Sequence, residues 1–179
     1  MFQILLFPIL LFVVYGFSCQ ENLICIRTWG WNPIIHGIFH WNSWRRHFIH
    51  INIEHLVKNT IILTIQCFII QWKYSVWIMT SLIFLAYFLI TPLVYEYHRL
   101  CHLCGWMKGQ VIIVGCSDIC TFLVAFNFPY EVYGYPFFLC ILAVDEVWAY
   151  MNNHAVSCHL IGYMCGFLVK KCMNLYISS

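Results

Sequence analysis

Three stations carry polar or ionisable groups where the chain is otherwise most apolar: His55 with Asn59 in HINIEHLVKNT, Ser117 in VIIVGCSDI, and His159 in SCHLIGYMCGF. A serine hydroxyl beside an imidazole can lose its proton to that ring as its oxygen attacks a carbonyl. An asparagine amide and a second imidazole can donate to the oxyanion that forms. Together the four side chains would suit acyl transfer. Taken singly they have plainer readings: a lone membrane serine satisfies its hydroxyl on a nearby backbone carbonyl, and a lone histidine bridges helices.

The solvent these groups meet follows from composition. Of 179 residues, 63% are hydrophobic, 19% aromatic and 9% charged, against about 25% charged in an ordinary soluble domain. This balance describes an integral membrane protein. Its apolar runs are long and continuous rather than alternating, which excludes barrel strands and leaves helices to satisfy the backbone in lipid. Read against the roughly 20 apolar residues that cross a bilayer, the chain predicts an all-α membrane domain of six transmembrane helices at about 1–17, 53–72, 74–95, 110–128, 135–150 and 155–173, with a long first loop over 18–52. Six crossings make the second, fourth and sixth spans parallel. His55, Asn59, Ser117 and His159 then lie at similar depth, with Ser117 about two turns, roughly 10 Å, into its helix.

At these positions the chain resembles the rhomboid intramembrane serine proteases. The pieces run in order along most of the sequence: Trp44 and Arg45 in the first loop, His50, His55 and Asn59 in an H-x4-H-x3-N pattern, Gly115 and Ser117 as G-x-S, and His159, Gly162 and Gly166 as H-L-x-G-x3-G. The resemblance implies a six-helix rhomboid-like bundle with Ser117 as nucleophile and His159 as its base. It implies His55 and Asn59 as oxyanion-side donors, a more structural role for His50, and cleavage of a partner's transmembrane segment. Gly115, Gly162 and Gly166 would allow close helix approach; glycines four apart do so on any membrane helix. The last part of the chain is most like the endoplasmic-reticulum branch of eukaryotic rhomboids, with mitochondrial and plasma-membrane members as alternatives. No cofactor or metal is implied, and the partners are transmembrane substrates and the bilayer, not nucleic acid.

The chain departs from that family at Asp118, where members usually carry glycine. An aspartate there is expected to widen the helix contact and to oppose a nearby oxyanion. A buried pair with Lys58 would compensate it. The alternative to a protease is a catalytically silent rhomboid-like protein that binds membrane clients. A third reading has Asp118, Asp145, Glu146, His154 and His159 lining a proton or ion relay.

Other motifs carry less. His98, Cys101, His102 and Cys104 in HRLCHLCG offer ligand chemistry, but one C-x2-C pair crowded into seven residues reads as a polar loop with ordinary thiols rather than a zinc site. Most of the eleven cysteines fall in predicted spans as small buried hydrophobes, while Cys19, Cys25, Cys101 and Cys104 share one face and could pair. The tryptophans and arginines of the first loop suit the membrane interface. Arg27, Arg45, Arg46, Arg99 and Lys108 on the outer side, against Lys73, Lys170 and Lys171 inside, oppose the positive-inside rule. Lacking a basic start, residues 1–17 read as a first span rather than a cleaved signal, though their length permits either.

Overall fold

A computed structural model describes residues 26, 28, 30–48, 50, 52–106, 112–151 and 156–178. Among these the architecture is all-helical, with one isolated antiparallel bridge, Trp31 to Ile113. Two one-turn helices, α1 (Pro33–His36) and α2 (Asn42–Arg45), lie in the first loop, and a 3-10 turn (Arg46–Phe48) follows. The longer elements are α3 (Ile53–Lys73), α4 (Val76–Leu103), α5 (Ser117–Asn127), α6 (Tyr130–Met151) and α7 (Val156–Ser178). The predicted span at 1–17 lies outside the described residues.

Local chemistry sets several of these bounds. Asn52 caps α3 by accepting the His55 N–H at 2.8 Å, and Glu54 lies in the first turn, where a carboxylate meets the positive end of the helix. Ser75 caps α4 by accepting from Ile78 N at 3.2 Å. α5 stops at Phe128, whose extended backbone (φ −58°, ψ 129°) is what a following proline imposes. Gly134, at φ 72°, breaks α6 near its start, two residues before Pro136.

α3 and α4 are long and apolar enough to cross a membrane, with mean hydropathy 1.4 and 2.0. Their 21 and 28 residues measure roughly 31 and 42 Å at the rise of an α-helix. α3 is apolar on both faces. Leu56, Leu63, Cys67 and Ile70 are buried, while Ile53, Val57, Ile61, Ile65, Phe68 and Trp72 form an exposed stripe at helical spacing. A water-facing surface rarely carries such a stripe.

The core sits around α5. Of its residues, Asp118 to Leu123 and Ala125 to Asn127 are buried, as befits a helix apolar nearly all round. Its most extensive contact is with α7, and α3 and α4 close two other sides. Gly162 and Gly166 make the α5–α7 contact possible. A Cβ on Gly162 would lie 2.5 Å from Asp118 O, and one on Gly166 would lie 2.9 Å from Phe122 C. Both positions require the absence of a side chain.

Several sequence expectations need correction. Among the described residues of the predicted 110–128 span, 112–116 are not helical and the helix is Ser117–Asn127. Residues 112–114 run extended, Gly115 and Cys116 form the bend into the helix, and Ile113 exchanges two backbone hydrogen bonds with Trp31 at 2.8 and 3.0 Å. Ser117 is therefore the first residue of its helix rather than two turns inside it. HRLCHLCG is not a loop: α4 continues to Leu103, carrying the buried His98 and Cys101. The predicted 135–150 segment begins earlier, at Tyr130. Lys170 is a buried cap rather than an interfacial charge, its ammonium donating to Phe128 O at 2.7 Å. Cys101 and Cys104 are free thiols, and Cys19 and Cys25 lie outside the described residues.

Candidate functional site

The site is built at the N-terminal end of α5. Gly115, at φ 91°, adopts a backbone that side-chain-bearing residues rarely take, and it turns the extended 112–114 segment into the helix. Its N–H donates to Arg46 O at 2.7 Å, so the first loop fixes where α5 begins. The lack of a side chain is used twice. A Cβ there would stand 2.9 Å from His55 Cε1 and 3.6 Å from Asn59 Nδ2.

His55 and Asn59, both buried, occupy successive turns on one face of α3, with Asn59 Nδ2 3.2 Å from His55 Nε2. His50 is fully buried. Its ring lies 5.1 Å from that of His55, and its Nε2 is 3.8 Å from Cys116 Sγ. The Cys120 thiol donates to Asn59 O at 3.5 Å, tying α5 to α3.

The α5–α7 register brings in His159. Gly162 rests on Asp118 and Gly166 on Phe122, the same offset of 44 residues, so the helices run parallel. That offset sets His159 level with Gly115, and Ser117 level with Ile161, less than one turn on. Ser117 is half-buried and His159 is buried. No hydrogen bond joins Ser117 to His159 among the described residues. His159 instead directs Nδ1 towards α6, 3.3 Å from Asp145 Oδ2. The contact is close but misaligned, because Nδ1 makes no hydrogen bond. As the first helical residue, Ser117 also opens a turn whose amides have no intrahelical acceptor. One of them is taken, since Ile119 N donates to Asp118 Oδ1 at 2.8 Å.

Asp118 does not pair with Lys58. Its carboxylate is 1% exposed and meets the equally buried Arg46 guanidinium at 2.5 Å, with His47 Nδ1 at 3.5 Å. Burial first, then the Arg46 charge, hold the His47 ring below its ordinary pKa, against the opposing pull of Asp118. The lowered pKa favours the uncharged ring near neutral pH, which leaves Arg46 as the main counter-charge of the carboxylate. Arg46 also lies 5.2 Å over the Trp31 ring. The α5–α7 contact is not widened either: Gly162 packs on the Asp118 backbone while the side chain turns to the first loop. Lys58 lines an open groove of about 500 Å³ with Phe137, Cys140, Val144, Asp145 and Tyr163.

Elsewhere in the first loop, Trp44 stacks on Tyr87 with centroids 3.7 Å apart. Arg45 donates to Asn42 Oδ1, and Asn42 Nδ2 donates to Thr28 O and Gly30 O, each at 3.0 Å. Arg46 and His47 are the site neighbours that sequence reasoning passed over. The available signal was a second arginine after the Trp44–Arg45 pair, which does not by itself designate a partner 72 residues away. His154 lies outside the described residues. No family model matches the chain, and no curated protein matches it.

Proposed function

We propose that this chain is a six-span, rhomboid-like intramembrane serine protease that cleaves transmembrane segments of other membrane proteins. Ser117 attacks the scissile carbonyl, and His159 Nε2 takes its proton and returns it to the leaving amine. His55, Asn59 and the first amides of α5 donate to the oxyanion. One observation carries the reading: the 44-residue register, fixed by Gly162 and Gly166, brings His159 level with the turn that presents Ser117, where His55 and Asn59 crowd Gly115. The unmade Ser117–His159 hydrogen bond suits a site that tightens only around its substrate.

Asp118 does not weigh against this chemistry, since its charge is balanced by Arg46. The groove between α3 and α6 reaches Asp145, beside His159. A substrate segment lying there would have to unwind, because a helical carbonyl is engaged by its own backbone. Low helix propensity near the cut follows. The exposed apolar faces of α3, α4, α6 and α7 fit a multi-pass protein in lipid, and the endoplasmic reticulum is the compartment the resemblance favours.

The missing Ser117–His159 bond also suits a second reading, a silent rhomboid-like protein that binds membrane clients without cutting them. A fluorophosphonate probe separates the two. Labelling at Ser117 that vanishes in Ser117→Ala and His159→Ala is expected for the protease. No labelling, with client capture that persists in Ser117→Ala, identifies the binder.

A further inference from the structure

Asp145 and Glu146 of α6 and His159 of α7 each offer a donor atom, and the three atoms lie within 4.8 Å of one another. Paired acids alone do not make a site; the condition of their donor atoms points to a ligand. His159 is 5% exposed, and its Nδ1 makes no hydrogen bond despite the 3.3 Å approach to Asp145 Oδ2. Both carboxylate oxygens of Glu146 are buried and also unpaired. A buried carboxylate without a donor or counter-ion is costly, so two orphaned groups facing one small volume call for something between them. Asp145 is held for that purpose, because the Tyr163 hydroxyl donates to its Oδ2 at 3.2 Å.

We propose that Asp145, Glu146 and His159 Nδ1 bind a divalent transition-metal ion, and that this ion switches off the serine–histidine pair. Two carboxylate oxygens and one imidazole nitrogen suit Zn²⁺ and its neighbours, and three protein ligands leave a further position for water. Tetrahedral bonds of about 2.0–2.2 Å set donors about 3.4 Å apart, a closure within reach of side-chain rotation. Lys58, lining the same groove, is the resident cation nearby, and its one charge leaves an excess of negative charge when both carboxylates are ionised.

The switch follows from the two nitrogens of the ring. A metal on Nδ1 uses that nitrogen's lone pair, and the ring proton then resides on Nε2, which can only donate. Any proton displaced on binding passes to water. Ser117 thereby loses its base without any helix moving. The switch rests on the protease reading above; the metal site does not.

Co²⁺ is the probe, because its visible spectrum separates nitrogen–oxygen ligation from thiolate ligation by this cysteine-rich chain. The full Ser117→Ala chain, purified in detergent and stripped with chelator, is titrated by calorimetry and absorbance. One Co²⁺ per chain is expected, without thiolate charge transfer, and affinity should fall at least about tenfold in Glu146→Gln while the metal-free melting temperature stays unchanged. In the chain that keeps Ser117, Co²⁺ should suppress fluorophosphonate labelling and chelator should restore it, whereas Glu146→Gln should label equally with and without the ion. Absent binding, binding with thiolate bands, or binding indifferent to both Glu146→Gln and Asp145→Asn overturns the site. Binding with undiminished labelling overturns the switch alone. Co²⁺ binding by a chain that fails to label even after chelator treatment overturns the protease reading, and the switch with it, and leaves the metal site standing.

Discussion

The two ends of α5 are built from opposite materials. At the N-terminal end, backbone and side chains meet through polar contacts: the Gly115 amide on Arg46 O, Asp118 on Arg46, and His50, His55 and Asn59 around Gly115 and Cys116. At the C-terminal end, Phe128, Tyr130, Phe138, Tyr163 and Phe167 form an aromatic cluster. The last carbonyls there are met by Lys170 on Phe128 O and Tyr130 Oη on Ala125 O, at 2.7 and 2.9 Å. Packing aromatic rings tolerates local change, but a buried ion pair fails when either partner is lost. The end that presents Ser117 is therefore the brittle one, and the other anchors it.

Arg46→Met tests that contrast most severely. It strands Asp118 without a cation and should cost about 3–5 kcal/mol, read as a fall in unfolding free energy in detergent micelles. Adding Asp118→Leu should recover most of it, because an apolar pair of similar volume is often neutral. Gly166→Ala drives a methyl into the Phe122 backbone and should cost about 2–3 kcal/mol, separating α7 from α5 and slowing any Ser117 labelling. Lys170→Met removes the cap at the aromatic end and should cost about 1–2 kcal/mol, with labelling kept. Equal loss of labelling in Lys170→Met and Arg46→Met would erase the distinction between the ends.

A pH series sharpens it further. The folded state holds His47 below its ordinary pKa, so the unfolded chain binds the proton more readily. Stability should fall as pH drops from above the ordinary histidine value of 6.5 through the lowered one, and His47→Gln should flatten that slope. Glu96→Gln, breaking the exposed pair with Arg99 at 2.7 Å, lies outside both ends. It should change stability by no more than about 0.5 kcal/mol.

Where local signals were unambiguous, the sequence was legible. Long apolar runs marked the bodies of α3 and α4, since the expected 53–72 and 74–95 segments fall on α3 and on the first part of α4. The end of α4 was misjudged because Glu96, His98 and Arg99 read as loop residues, whereas Glu96 and Arg99 pair along one exposed helix face and His98 turns inward. The start of α5 was misjudged for another reason: hydropathy cannot separate an extended Ile112–Val114 segment from a helical one, and only pairing with Trp31 decides it. Gly162 and Gly166 were legible as packing residues because their spacing is local. Arg46 with Asp118 was not, since it depends on how a distant loop comes to lie, whereas Glu146 and His159 were grouped only within a wider set of five relay residues, of which Asp118 instead faces Arg46.

The separation of Arg46 from Asp118, 72 residues, sets an order of events during synthesis. At 5–20 residues per second, Arg46 exists for roughly 4 to 14 s before its counter-ion is made. An uncompensated guanidinium stays hydrated through that interval, so the first loop can dock only once α5 has been made.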